Sequence, residues 1–242
     1  MENIIRPNRA ETTVYAYQKI IDNHLDPLLG AVPLSKLSPK QIQEYYQTMT
    51  RTEGLSSNTI RRHHDLLSAA LRMAVRQDML RVNPMERVEP PRPKLHEASY
   101  YTQENLKVLY QLVEGHWLEM VVKVTAGLGL RREEICGLKW ESVDFQRRVV
   151  HIKEARTAYG ATVVQKETKN RSSMRTLFMP DELYELLRRE KARQEQERAI
   201  RGGDYAASGH VVLDREGLPY SPNALSLAFT RFVRKNHLPR LT

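Results

Sequence analysis

Four prolines between residues 83 and 94 constrain the fold of this chain more than any other feature. The segment reads NPMERVEPPRPK, and two of its prolines are adjacent. Proline lacks the backbone N–H that helices and sheets use and fixes φ, so this density favours an extended strap. We therefore predict a first domain over residues 1–82, a proline-rich linker over 83–98 and a second domain over 99–242.

The first domain is predicted to be all-α. Ser38, followed by a proline, is a typical N-cap for one helix, and Ser56 is a typical N-cap for a longer one. An earlier helix is predicted to begin at Thr12-Thr13. Apolar residues recur with helical spacing after each of these positions, which gives every helix a face to bury.

The longest predicted helix of this domain also carries a basic set. Arg61, Arg62, His63 and Arg76 fall within it, and we interpret them as facing solvent and a polyanion. A metal site at the neighbouring histidines is the weaker interpretation, because arginines surround them.

The second domain is predicted to mix helices with short strands, and helices dominate. Strands that are short and joined by turns favour a small antiparallel sheet. The predicted helices span 102–114, 117–127, 131–139, 181–201 and 222–236. The predicted strands span 148–152, 161–164, 175–179 and 210–213.

Composition excludes several classes of protein. Hydrophobic residues make up 40% of the chain, which is enough for a core, and the net charge of +9 favours nucleic acid as partner. Charge alone still leaves a basic protein-interaction scaffold open. The single cysteine, Cys136, lies among apolar residues and is predicted to be buried and unreactive. With no secretory signal or membrane-spanning run, a cytoplasmic location is expected.

Arg131 and Arg132 are the strongest local candidates for chemistry. They follow the glycine-containing turn Gly127-Leu128-Gly129 and begin a predicted helix, where free N–H groups attract anions. A guanidinium matches two phosphate oxygens. On local features alone, however, an arginine at a helix start is more often a solvated surface residue.

The surroundings of Arg131 carry a family resemblance. Residues 125–144 read TAGLGLRREEICGLKWESVD, which closely resembles the first active-site box of the tyrosine recombinases, and most of all the integrases of phages and conjugative transposons. The resemblance implies that Arg131 binds the scissile phosphate and that Glu134 supports it. Glu133 stands where the family often has glycine.

Three further segments extend the resemblance over nearly the whole chain. Residues 168–176 (TKNRSSMRT) resemble the hairpin with the family's active-site lysine, which implies Lys169, while Lys166 stays open as an alternative. Residues 218–226 resemble the approach to the second box. Residues 55–60 resemble part of the helical core-binding domain.

The family's second box, His-x-x-Arg, and its nucleophilic tyrosine are expected just beyond Thr242. The motif formed by His237 and Arg240 precedes the expected place and contains a proline, so we interpret it as a coincidence. The last tyrosine, Tyr220, lies ahead of that box. We therefore expect a fragment or a truncated reading frame.

The resemblance implies a fold that is mainly α with a small antiparallel β-sheet. An all-α core-binding domain would precede a partial α+β catalytic domain. The implied chemistry is site-specific cutting and rejoining of DNA through a 3′-phosphotyrosyl intermediate, without cofactor or metal. The implied partners are double-stranded DNA, further recombinase protomers and accessory DNA-bending proteins. For this chain we predict DNA binding without cleavage; the alternative is a non-catalytic module that competes with a full-length recombinase.

Overall fold

The structure is a computed structural model that describes residues 5–95, 98–167 and 174–240. The chain divides into two compact units, Met1–Glu97 and Ala98–Thr242. The division follows the proline-rich strap, whose residues up to 95 group with the first unit. Each unit has a hydrophobic core of its own.

The described part of the first unit is helical. A π-helical turn over Ile21–Leu25 joins its second and third helices, and 3-10 turns cover Leu34–Lys36 and Pro84–Arg87. Its helices are α1 (Ile5–Asn8), α2 (Glu11–Ile20), α3 (Asp26–Leu29), α4 (Pro39–Arg51) and α5 (Ser57–Arg76).

Two of the predicted helix starts are confirmed. Ser38 accepts a hydrogen bond from the backbone of Gln41, whose side chain accepts one from the backbone of Ser38, so α4 begins with a capping box. Ser56 caps α5 more simply, since its hydroxyl accepts a hydrogen bond from the backbone of Thr59, at 3.2 Å. The predicted start at Thr12-Thr13 is wrong, because α2 already begins at Glu11.

The core of the first unit lies between α4 and α5. Buried apolar residues of the strap, Met85 and Val88, complete this core. Asn58 of α5 donates to the carbonyl oxygen of Lys94 and accepts from its backbone nitrogen, at 2.8 and 3.0 Å. The strap therefore folds back along α5. The buried members from the two helices are Ile42, Tyr45, Tyr46, Met49, Ile60, Leu66, Leu71 and Ala74.

The second unit combines helices with two small antiparallel sheets. Its helices are α6 (Gln103–Val113), α7 (Leu118–Leu128), α8 (Arg132–Gly137), α9 (Asp181–Arg201) and α10 (Pro222–Lys235). Its strands are β1 (Val143–Asp144), β2 (Val149–Ile152), β3 (Glu154–Tyr159), β4 (Thr162–Glu167) and β5 (Arg175–Phe178). One sheet has the order β1-β2-β5, and the other pairs β3 with β4. The predicted fold class is confirmed.

One predicted strand is wrong, and one strand of the structure lies outside the predicted set. Residues 210–213 form isolated bridges, in which His210 pairs with Lys139 and Leu213 pairs with Pro219, instead of a strand. The strand β3 was not predicted, because its sequence EARTAY is polar and half-exposed along its length.

The core of the second unit surrounds α7 and α8. Cys136 is fully buried there, as predicted, and burial raises the pKa of its thiol to about 12, which disfavours the reactive thiolate. Gly137 ends α8 against β3, and a Cβ atom at this position would lie 2.8 Å from the backbone nitrogen of Arg156. Among the described residues, no helix is long and apolar enough to cross a membrane.

Candidate functional site

The turn between α7 and α8 places Arg131 at the surface. Gly129 has a φ of +60°, a left-handed conformation that favours glycine, and it ends α7. The next residue, Leu130, is buried and donates its backbone N–H to the carbonyl oxygen of Thr125, at 3.0 Å. Arg131 then takes an extended conformation immediately before α8.

Glu134 lies beneath Arg131 and contacts it twice. Its carboxylate oxygens accept from the backbone N–H of Arg131 and from Nη1 of its guanidinium, both at 2.8 Å. The Glu134 side chain is 3% exposed, whereas that of Arg131 is 67% exposed. The pairing implied by the resemblance is therefore present as a direct contact. Because Glu134 accepts the backbone N–H of Arg131, this one N–H is not open to an anion.

A second arginine, Arg175 from β5, binds the same carboxylate. Its Nη1 and Nη2 donate to the two oxygens of Glu134 at 2.9 and 2.8 Å. These bonds from Arg175, together with those from Arg131, lower the pKa of Glu134 to about 2 against the opposing effect of burial. Glu134 is therefore charged at neutral pH, and the three side chains together carry one positive charge.

The exposed guanidinium of Arg131 keeps donors for a ligand. Within the described ranges, the bond from Nη1 to Glu134 is its one hydrogen bond. An arginine side chain has five N–H donors in a planar fork that matches two oxygens of a phosphate or carboxylate. The arrangement is thus a fixed cation with an open face, which suits an oxyanion.

Sequence analysis missed Arg175. It was predicted only as part of a strand, because its partner Glu134 lies 41 residues earlier in the chain. A buried glutamate beside one arginine still leaves acceptor positions unfilled, and this is the signal that indicates a second donor.

The predicted role of Arg132 in binding DNA remains a prediction. Its Nε donates to Glu133 at 3.0 Å, and its Nη1 donates to the hydroxyl of Ser226 in α10 at 3.1 Å. Its side chain is 45% exposed. The residue thus links α8 to α10 and still reaches the surface.

The predicted basic residues of α5 differ in how exposed they are. Arg62 and Arg76 are exposed, whereas Arg61 is half-buried and donates to the carbonyl oxygen of Pro91 in the strap, at 3.2 Å. The prediction that His63 contacts DNA is wrong. Its ring is buried, shares a 2.7 Å hydrogen bond with the hydroxyl of Tyr45, and has its pKa lowered to about 4 by that burial.

Lys169 lies outside the described residues, so its predicted role stays a prediction. The alternative, Lys166, is on β4 opposite Ala155 of β3. The choice between the two lysines therefore remains open. In the described part of the chain, no group of three or more His, Cys, Asp or Glu side chains is arranged to hold a metal ion.

Comparison with known proteins gives the family. Residues 99–241 match the phage integrase family, and residues 1–50 match the phage integrase N-terminal SAM-like domain. The first of these matches covers more than half of the chain, so the chain belongs to the phage integrase family. The predicted family is confirmed.

Three relatives illustrate the match. A tyrosine recombinase XerC-like protein of Caldanaerobacter subterraneus subsp. tengcongensis is 24% identical, over 98% of this chain and 65% of that protein. A variant Tn1549 transposon integrase, solved with transposon right end DNA, has a TM-score of 0.80 at 22% identity, covering 97% of this chain and 76% of that one. A lambda integrase dimer bound to a core site gives 0.67 at 17% identity, with coverages of 98% and 78%. The chain spans less than two thirds of the length of the first relative.

Proposed function

We propose that this chain binds double-stranded DNA and places Arg131 against a backbone phosphate in the site of a tyrosine-type, site-specific recombinase. The observation that carries the proposal is an exposed guanidinium fixed by a buried carboxylate. A surface arginine that is only solvated does not need a buried carboxylate that accepts both its backbone N–H and its Nη1. The relatives solved with DNA are integrases of the same fold, which supports the choice of ligand.

The proposed chemistry assigns each group a step. Arg131 neutralises negative charge on the non-bridging phosphate oxygens as that charge builds up in the transition state. Lys169 protonates the leaving 5′ oxygen as a general acid, with Lys166 as the alternative. The attacking tyrosine of the family has no match in residues 1–242. We therefore expect a polypeptide of these residues to bind DNA without becoming joined to it.

The first unit is proposed to supply a second, sequence-independent contact. Arg62 and Arg76 are 14 residues apart on α5 and project from nearly the same side, because about four helical turns separate them. Arg132 is proposed to add a further contact beside Arg131. Long basic side chains at an exposed helix face bind phosphates without reading bases.

The test measures how DNA affinity depends on salt. A random-sequence duplex is titrated with the full chain and with Arg131→Ala at salt concentrations from about 50 to about 200 mM, a range in which phosphate contacts weaken steeply. Arg188→Ala is the matched control, since it removes an exposed arginine from α9 in the same unit. We expect only Arg131→Ala to lower the salt slope by about one.

Two results would count against the proposal. Equal slopes for Arg131→Ala and the wild type would remove Arg131 from the phosphate site. Affinity independent of salt would favour the protein-interaction scaffold instead. Incubation with nicked duplex DNA and denaturing electrophoresis tests the absence of cleavage, and a covalent protein–DNA band would contradict it.

A further inference from the structure

We infer that Arg175 is a positioning residue of this site: it acts through Glu134 to hold Arg131 and to keep its charge available for phosphate. The inference rests on the proposed function of Arg131. It concerns a residue that lies on a different element, β5, and does not itself present the exposed guanidinium.

The hydrogen bonds around Glu134 are shared between the two arginines. Oε1 accepts from Nη1 of Arg131 and Nη1 of Arg175, at 2.8 and 2.9 Å. Oε2 accepts from the backbone N–H of Arg131 and Nη2 of Arg175, both at 2.8 Å. A carboxylate has about four acceptor positions, so these four bonds fill it. Glu134 therefore cannot rotate without breaking bonds to both arginines.

The charges explain why two arginines are needed. If Glu134 faced Arg131 alone, its negative charge would cancel the charge that attracts a phosphate. Arg175 supplies a second positive charge on the buried side, where its side chain is 28% exposed against 67% for Arg131. The cluster therefore stays net positive, and the positive charge is most exposed at Arg131.

The position of Arg175 is set by the sheet. It is the first residue of β5 and pairs with Ile152 of β2, which is buried. Its Nη2 also lies 3.4 Å from the carbonyl oxygen of Gly129, in the turn that leads to Arg131. Arg175 thus ties the β1-β2-β5 sheet to the α7–α8 turn and to Glu134 together.

A purely structural ion pair is the competing explanation, and a matched control separates the two. Arg175→Met removes the charge and the fork, Arg175→Lys keeps the charge, and Lys123→Met breaks another partly buried pair in the same unit. Lys123 bonds Glu119 at 2.6 Å and is 26% exposed, close to the value for Arg175. Each variant is checked for folding by circular dichroism before its affinity for a random-sequence duplex is measured.

We expect Arg175→Met to weaken DNA binding about fivefold to tenfold and to reduce the salt slope as Arg131→Ala does. The double variant Arg131→Ala/Arg175→Met should bind no more weakly than Arg131→Ala alone, because both act on one contact. Arg175→Lys should recover part of the affinity. Lys123→Met should leave affinity and slope unchanged at temperatures where it is folded.

The pH profile is a readout that structural damage alone would not move. Losing Arg175 removes the largest cause of the low pKa of Glu134, so this pKa rises. Relative to wild type, the affinity of Arg175→Met should recover as pH falls below neutral, because protonation of Glu134 removes the negative charge that cancels the charge of Arg131. This recovery should be absent in Arg175→Met/Glu134→Gln, in which residue 134 does not titrate. If Arg175→Met does not fold, the same profile is measured on Arg175→Lys.

The outcomes separate this inference from the proposed function. If Arg131→Ala weakens binding and the folded Arg175 variants do not, the inference fails while the proposed function stands. Additive losses in the double variant would overturn it in the same way. If Arg131→Ala itself leaves DNA binding unchanged, the proposed function fails and the inference falls with it.

Discussion

Each unit of the molecule buries a polar cluster, and the two clusters differ in charge. In the first unit, the hydroxyls of Tyr45 and Tyr46 in α4 each share one hydrogen bond with a histidine of α5, at 2.7 and 2.9 Å. In the second unit, Glu134 receives four bonds from two arginines. The first cluster pairs side chains one to one, and the second shares a single acceptor group.

The two clusters differ in whether they leave a charge at the surface of the protein. Burial lowers the pKa of His63 and raises that of Tyr45, so this pair stays neutral and serves the contact between two helices. Glu134 stays ionised because its neighbours are cations, and the surplus charge appears on the exposed side chain of Arg131. A neutral buried pair stabilises packing, whereas an ionised one can fix a charge at the surface for a ligand.

Removing the ionic cluster should have the largest effect. Glu134→Ala leaves two arginines facing each other without a counter-charge, and we expect the second unit to lose about 3 kcal/mol of its free energy of unfolding. The measurement is urea unfolding, with Glu133→Ala, a neighbouring and more exposed glutamate, as control. A loss no greater than that of the control would mean that the carboxylate contributes little to stability.

Acid should weaken the two clusters in different pH ranges. The pKa of His63 falls from 6.5 to about 4, so between these values the unfolded chain binds a proton that the folded chain does not, and stability falls as pH falls. We expect a loss of about 2 kcal/mol by about pH 5. The stabilisation from Glu134 persists above pH 4.5 and is lost only as pH falls toward about 2.

Hydrogen exchange of the α4 and α5 amides measures this acid effect within the first unit. His63→Gln does not titrate and should flatten the profile of these amides relative to wild type. Burial also lowers the pKa of His64, so a smaller slope remains in the variant. An identical slope in wild type and variant would show that His63 is not the responsible group.

The smallest effect on stability is expected for the exposed arginines of α5. Arg62→Ala and Arg76→Ala should each change the free energy of unfolding by less than about 0.5 kcal/mol, since both side chains are exposed. Each should nevertheless lower the salt slope of DNA binding by about one. The reverse is expected of His63→Gln, with reduced stability and an unchanged slope; a changed slope would restore His63 to the DNA contact.

What sequence could predict depends on how local the interaction is. The caps at Ser38 and Ser56 and the contact between Arg131 and Glu134 span three residues each, and all were anticipated. Arg175 was missed because its bond to Glu134 depends on the path of β5, which no local pattern gives.

His63 was misplaced for a different reason. It falls three residues after Ile60, on the helical stripe that is buried, so its position predicts burial while its polar ring favours exposure. Its hydrogen-bond partner in the core, Tyr45, lies on another helix. Helical periodicity was the better guide at this position.

The close contact of Gly137 with β3 has a consequence for the evolution and engineering of the chain. Even one methyl group at this position would meet three backbone atoms of Ala155 and Arg156 at 2.8 to 3.0 Å, and none of them can move as a side chain does. Gly137 lies three residues after Glu134 on the same short helix, so a shift of α8 that relieved the clash would carry Glu134 with it. In a saturation library, position 137 should tolerate almost no replacement, although it contributes no functional atom.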